Sequence, residues 1–427
     1  MRLSRTILSA MALAALMWVG GAALADDNAE PGPATFYKDV LPILQKNCQE
    51  CHRPSGLNMA GMIAPMALTT YQEARPWAKS IARVVQERVM PPWLAAPEFH
   101  GVFANERSLG EDEIATLVRW ATAGAPAGNP ADAPPAIVWP SGGWSFGEPD
   151  LVIRFDKPFV VADDVQDLYA NITVDIPTTE DRFIRALEFR PGSQVVHHII
   201  GHAIGSGESF GRGDRGMIGG IAPGNDPDTY PDGYGILLPA GGKFTFAMHY
   251  HKEKGPGTAA EDVSEVGFKF YEPGTKVKLI HIESIGNRFG WEIPPMHPYW
   301  EVGSAKIFDR DVILLNMMPH MHLRGRAAKY EAFYPDGRSE VLLWVPNYDF
   351  NWQLTYEYPA DQLRRIPAGT RLENTMWFEN TPERGELAGI DPTRPIRFGG
   401  PTTDEMDLGW IAYAYTEETP AEGVASR

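Results

Sequence analysis

The sequence predicts a multidomain chain, a small all-α domain followed by two all-β sandwich or jelly-roll domains. Three observations lead there. Helical periodicity is confined to residues 33–128, a proline- and glycine-rich stretch interrupts the chain at 129–147, and short β-branched or aromatic runs fill the remainder. At 427 residues the chain exceeds one ordinary core, so several domains are the default. Apolar content of 44% and charged content of 22% are those of a globular protein, and 42 glycines with 37 prolines imply many turns.

Residues 1–25 read as an export signal. Arg2 and Arg5 precede an apolar run from Ile7 to Ala25, which ends in the small-residue pattern Ala23-Leu24-Ala25. The run approaches the roughly 20 residues needed to span a bilayer, so a retained anchor is the alternative. Its glycines and its cleavage-like end favour removal, which leaves a periplasmic protein with no membrane insertion. The net charge of −17 becomes more negative still when two arginines leave with the signal. Such a surface repels phosphate backbones and anionic lipid, which excludes nucleic acid as a partner.

In the helical part, "FYKDVLPILQKN" sets Val40, Leu41, Ile43 and Leu44 at helical spacing. "EARPWAKSIARVVQERV" reads as a second amphipathic helix, and "EDEIATLVRWATAG" as a third with an acidic start and a glycine stop. Between the first two stands "NCQECH", with the chain's only cysteines, Cys48 and Cys51, and then His52. C-x-x-C-H is the pattern of covalent haem c attachment. Two thiols reach the two vinyl groups of one macrocycle, and the next histidine turns beneath the ring to ligate iron. A zinc site would need two further ligands nearby, and a thioredoxin-like dithiol would sit in a βαβ pattern; neither accompanies the motif. Residues 33–128 resemble a small class I cytochrome c. The sixth iron ligand is expected to be a methionine, from Met59, Met62, Met66 and Met90. Met90 in "VMPPW" is preferred because it follows the second helix and two prolines would fix its loop; Met62 is the runner-up.

After the linker at 129–147, runs such as "DLVIRF", "FIRALEF", "KFTFAMHY", "VILLNM" and "GWIAYAY" are bounded by turn residues. They divide into β-domains at 148–290 and 291–416, with a loose tail at 417–427. Three histidine groups punctuate them: "VVHH" with His197 and His198, "FAMHYH" with His249 and His251, and "NMMPHMHLRG" with His320 and His322. Alternation along a strand puts both members of an H-x-H pair on one face. His197 and His198 are adjacent, so both can reach one ion only if the strand ends or bulges there. Histidine with thioether is a copper donor set, since soft sulfur retains Cu(I) and imidazole serves both oxidation states; an all-histidine site leaves zinc open.

Residues 148–416 resemble the copper type II, ascorbate-dependent monooxygenases, the family of peptidylglycine α-hydroxylating monooxygenase and dopamine β-monooxygenase. The resemblance implies two β-domains, each holding one copper, facing each other across a solvent-filled cleft. One copper would take His197, His198 and His249. The other would take His320, His322 and Met406 of "TTDEMDLGW", with Met376 of "ENTMWFEN" as the rival thioether. His202 and His251 would be auxiliary or incidental, His281 and His297 structural, and His100 a surface residue. The resemblance further implies that dioxygen and substrate meet at His320, His322 and Met406, while the other copper stores an electron. The family's carboxylate-binding positions are here Met318, Leu408 and Trp410, so a small apolar or aromatic substrate is expected rather than a glycine-extended peptide. The expected activity is hydroxylation of a C–H bond with O2. One haem c beside two coppers suggests delivery of electrons within the chain, refilled by a periplasmic donor. The alternative is a periplasmic haem-copper electron-transfer or copper-handling protein without hydroxylase activity.

Overall fold

β-Branched and aromatic runs pair as the alternation requires. "RLENTMWF" forms a strand at Arg371–Phe378 in which buried and half-buried side chains alternate along its whole length. The computed structural model describes residues 32–54, 64, 66–138, 144–205, 216–222 and 224–417. The export signal, Met59 and Met62, and the tail beyond residue 417 lie outside the described residues.

One ten-stranded sheet runs through the β-region. Its main path is Leu151–Arg154, Glu265–Phe270, Arg182–Arg190, Tyr234–Leu238, Lys278–Gly286, Leu408–Tyr415, Val312–His320 and Tyr356–Glu357. Two four-stranded sheets and a two-stranded pair, Phe159–Val161 with Ala260–Asp262, complete the architecture among the described residues. Asp167–Asp175, Lys243–His251, Val196–Ile204 and Met217–Ile221 share with the first half of the long sheet a core rich in phenylalanine, including Phe189, Phe244, Phe246 and Phe268. Trp300–Ile307, Arg371–Phe378, Gly325–Phe333 and Ser339–Val345 do the same for the second half, around Met317, Tyr330, Met376 and Phe378. The halves are joined by a short parallel pairing, Lys278 with Tyr234 and Leu279 with Gly235.

The helical stretch corrects the sequence expectation. Strand accounts for 36% of the chain and helix for 15%, and no separate all-α cytochrome domain is formed. Its α-helices at Leu41–Asn47, Tyr71–Ala74, Ala78–Gln86 and Glu111–Thr122 are short. They gather around Phe36, Leu44 and Trp120. The connector between the last two, however, belongs to the β-core. Ala96, Phe99 and Phe103 are buried there with Tyr356 and Tyr358, and Trp93 packs alongside. Backbone bonds fasten it, from Ala96 N–H to the Trp344 carbonyl (2.8 Å) and from Ala104 N–H to the Glu357 carbonyl (2.7 Å). Ala34–Arg427 is therefore one compact unit. The physical reason is apolar area: helices this small cannot bury Trp93, Phe99 and Phe103 among themselves, so the sheet covers them.

Candidate metal centre

His197 and His198 both turn to the same side because the strand Val196–Ile204 bulges. Against the neighbouring strand, Val196 pairs with Tyr250 and His198 with His249, which leaves His197 as the extra residue. His249 stands opposite, in Lys243–His251. One nitrogen from each of the three rings lies within 4.8 Å of the other two. All three Nδ1 atoms are buried and have no hydrogen-bond partner. An unpaired buried acceptor costs about 1–3 kcal/mol, so three aimed together fit a cation that takes their lone pairs.

The rings are held from behind. His249 Nε2 donates to Asp167 Oδ1 (3.0 Å), and His251 Nδ1 lies 2.9 Å from the same oxygen. That bond fixes the tautomer of His249 that leaves Nδ1 bare. Tyr169 stacks on His249 with centroids 4.2 Å apart, and Phe350 stacks on His197 at 5.0 Å. Burial, then the neighbouring imidazoles, pushes His197 down to about 3 and holds His198 well below the ordinary range. Burial opposes ionisation of Asp167, but the bonds from His249 and His251 outweigh it and keep the carboxylate charged.

The second group forms at the end of the strand Val312–His320. His320 Nδ1 bonds Gln353 Oε1 (2.7 Å), and His322 Nδ1 faces the Asp404 carbonyl (3.3 Å), so both rings have Nε2 left for a ligand. Their centroids are 5.3 Å apart at 88°. Burial lowers both, His320 to about 4 against the help of Gln353, and His322 further. Met406 is tied to them through Glu405, which accepts from the backbone N–H of His322 (2.8 Å) and of Arg324 (2.5 Å). Glu405 Oε2 also accepts from the Met406 N–H (3.3 Å), which fixes the loop that carries the thioether. The rival Met376 is buried in the second core, away from these groups.

His198, His320, His322 and Met406 border one cavity of about 390 Å3, with Met318, Leu408 and Trp410 among its apolar walls. Arg288 is the one Lys or Arg side chain among its described lining residues. Among the described residues, the two histidine groups approach each other closely. The rings of His198 and His320 are 6.3 Å apart, and Phe350, stacked on His197, lies 6.0 Å from His322.

At the C-x-x-C-H motif, Cys48 ends the helix Leu41–Asn47 and its carbonyl accepts from His52 N–H (2.9 Å). His52 Nδ1 lies 3.1 Å from the Met66 carbonyl, which makes that nitrogen the donor and leaves Nε2 bare. Burial, then Cys51, pushes the Cys48 thiol up to about 12, and burial raises Cys51 as well. A redox dithiol needs a stabilised thiolate, which burial opposes at both cysteines. Donor set and tautomer therefore fit haem c. Met90 is half-buried at the end of the segment after Ala78–Gln86; Met66 is the methionine bonded to His52. Arg107 and Asp226 lie close enough to affect Cys51, and Arg107 Nη1 donates to the Gly224 carbonyl (2.7 Å). Next in the chain, Asn225 Nδ2 contacts Met318 Sδ (3.6 Å) and Asn225 Oδ1 accepts from Thr355 N–H (2.9 Å). Asn225, Met318 and Thr355 line the same cavity as Gln353, His320 and His198.

Sequence reasoning missed Asp167, Tyr169, Phe350 and Gln353. None carries a local signal, because each meets its histidine through pairing with a distant segment. His202 is buried in the cavity wall, and His281 packs on Tyr413 and Tyr415. His297 accepts from Tyr299 N–H (3.2 Å), and His100 is exposed beside Glu106.

The sequence matches no protein-family profile and no curated protein. Among solved structures, the chain is similar to the major capsid protein P2 of bacteriophage PM2, at TM-score 0.26 and 5% identity over 63% of this chain and 98% of that one. It is also similar to the VP2 subviral particle of infectious bursal disease virus, at TM-score 0.20 and 7% identity over 61% and 75%. Likeness this slight carries no functional argument.

Proposed function

We propose that the chain is an exported copper monooxygenase that hydroxylates a C–H bond of a small apolar or aromatic substrate. The observation that carries the reading is a tight group of three histidines with buried Nδ1 atoms, His198 of which borders the same apolar cavity as His320, His322 and Met406. Copper bound by these donors would supply dioxygen activation at His320, His322 and Met406, and electron storage at His197, His198 and His249. The residues themselves do the rest. Asp167 and Gln353 hold the rings of His249 and His320 in the ligating tautomer. Met318, Leu408 and Trp410 exclude water and grip the substrate body, while Arg288 offers a place for one anionic or carbonyl group. Haem c at Cys48, Cys51 and His52 would accept electrons from a periplasmic donor and deliver them within the chain to the copper pair.

A pure electron relay would need the metals but no room beside them. The 390 Å3 cavity against His320 and Met406 favours chemistry on a bound molecule. The decisive experiment is haem and metal analysis of the matured, copper-reconstituted protein, followed by Met406→Ala. One haem and two coppers are expected, falling to about one copper per chain in the variant at a limiting supply. Dioxygen uptake should then be coupled to an alcohol product. Zinc in place of copper, or no metal, would sink the proposal.

A further inference from the structure

A second cavity of about 250 Å3 adjoins the first, and the two share Asp228, Tyr230 and Asn316 as lining residues. Asn316 and His320 lie on the same face of the strand Val312–His320, and Asn316 pairs across the sheet with Glu357. Glu357 lines the smaller cavity, which reaches the surface at exposed Thr229 and Ala360. Two carboxylic acids thus stand in order between solvent and the cavity that holds His320, His322 and Met406.

Hydroxylation has a fixed demand for protons. One C–H bond and one O–O bond break, one C–O bond forms, and R–H + O2 + 2 e− + 2 H+ gives R–OH + H2O. A one-electron donor supplies the electrons in turn; the protons must come from water outside an apolar cavity. We propose that Glu357 and Asp228 are the proton path into this site, passing protons from the smaller cavity to the larger. The inference rests on the monooxygenase reading.

The surroundings suit a relay. Burial, then the nearby Asp226, pushes Glu357 up to about 7 against the attraction of Arg107. Burial, then Glu357, holds Asp228 well above the ordinary carboxylate range, and the N–H of Gly220 is the one bond that opposes this. Tyr230, whose hydroxyl donates to the Ile218 carbonyl, is the remaining titratable group facing both acids. Asn105 meets only the backbone of Glu357, where its Oδ1 accepts from the N–H (3.2 Å). An acid that changes state near neutral pH can both take and give a proton. Gly219 lets the Asp228 carboxyl approach, since a Cβ there would stand 2.8 Å from Oδ2.

The test uses the full, copper-loaded chain and the variants Glu357→Gln, Glu357→Asp and Asp228→Asn. Dioxygen uptake driven by a small one-electron reductant is measured against pH, with copper content and infrared titration of carboxyl bands alongside. Glu357→Gln is expected to slow uptake roughly tenfold or more, flatten its pH profile near neutrality and leave copper content intact. Glu357→Asp should restore most of the rate, and a carboxyl band titrating near pH 7 should vanish in the Gln variant. Unchanged uptake and pH profile in both Gln and Asn variants, a rate loss that follows copper loss, or no such band would overturn the relay alone. A wild-type chain that holds copper but consumes no dioxygen would overturn the monooxygenase reading and the relay with it.

Discussion

Asp167 gives the sharpest handle on the histidine trio. Asp167→Ala removes the acceptor for His249 Nε2 and for His251 Nδ1 together. His249 could then move its proton to Nδ1, the nitrogen the trio needs bare. Loss of such a partner typically weakens metal binding 10- to 100-fold, about 1.4–2.7 kcal/mol. Exposure decides where in that range the effect falls. The His249 side chain is only 1% exposed, so water cannot readily replace the carboxylate there, while Asp167 at 27% already shares some of its charge with solvent. The expected loss is nearer 100-fold than 10-fold. Copper competition with a chelator, in a His320→Ala/His322→Ala background that leaves only the trio, reads it directly. An affinity unchanged within twofold, in a variant folded by circular dichroism, would refute the claim that Asp167 sets the tautomer.

Two further outcomes are expected. Phe103→Ala should cost about 3–5 kcal/mol and still give one unfolding transition by calorimetry, because Phe103 is buried against Tyr356 and Tyr358; separate transitions for helical and β parts would contradict the single unit described above. Copper affinity at the His320, His322 and Met406 group should stay flat from pH 7 to about 5. Both imidazoles are depressed, His320 to about 4 from an ordinary 6.5, so no proton need be displaced until the pH approaches that value. A fall that begins near pH 6.5 in chelator-corrected titrations would show ordinary, solvated histidines instead.

Much of the candidate site was legible because its signals are local. Adjacent histidines in a strand demand a bulge if both are to serve one ion, and the register shift beside His197 supplies it. The H-x-H pair was expected on one strand, but the strand ends at His320, and His322 is placed by Glu405 and Asp404 of a distant loop. The autonomy of the helical region was not legible, and the expected cytochrome domain was wrong. Amphipathic spacing shows that a helix has an apolar face but not what covers it. Trp93, Phe99 and Phe103 find their cover on strands more than 200 residues further along. Asp167 and Gln353 were hidden for the same reason, since they reach their histidines across pairings of 82 and 33 residues.

The parallel join between Tyr234–Leu238 and Lys278–Gly286 bears on how such a machine can move. Two bodies linked by a flexible strap can rock, and a substrate then slips in while they gape. Here the long sheet passes without a break from one half to the other, so parting the halves would tear rungs from it. Side chains of the cavity wall, Arg288 and Phe398 among them, can move without breaking that sheet. The spacing of the two histidine groups is then set where the four-stranded sheet that carries the trio packs on the long sheet that carries His320, a contact between layers and not a strap.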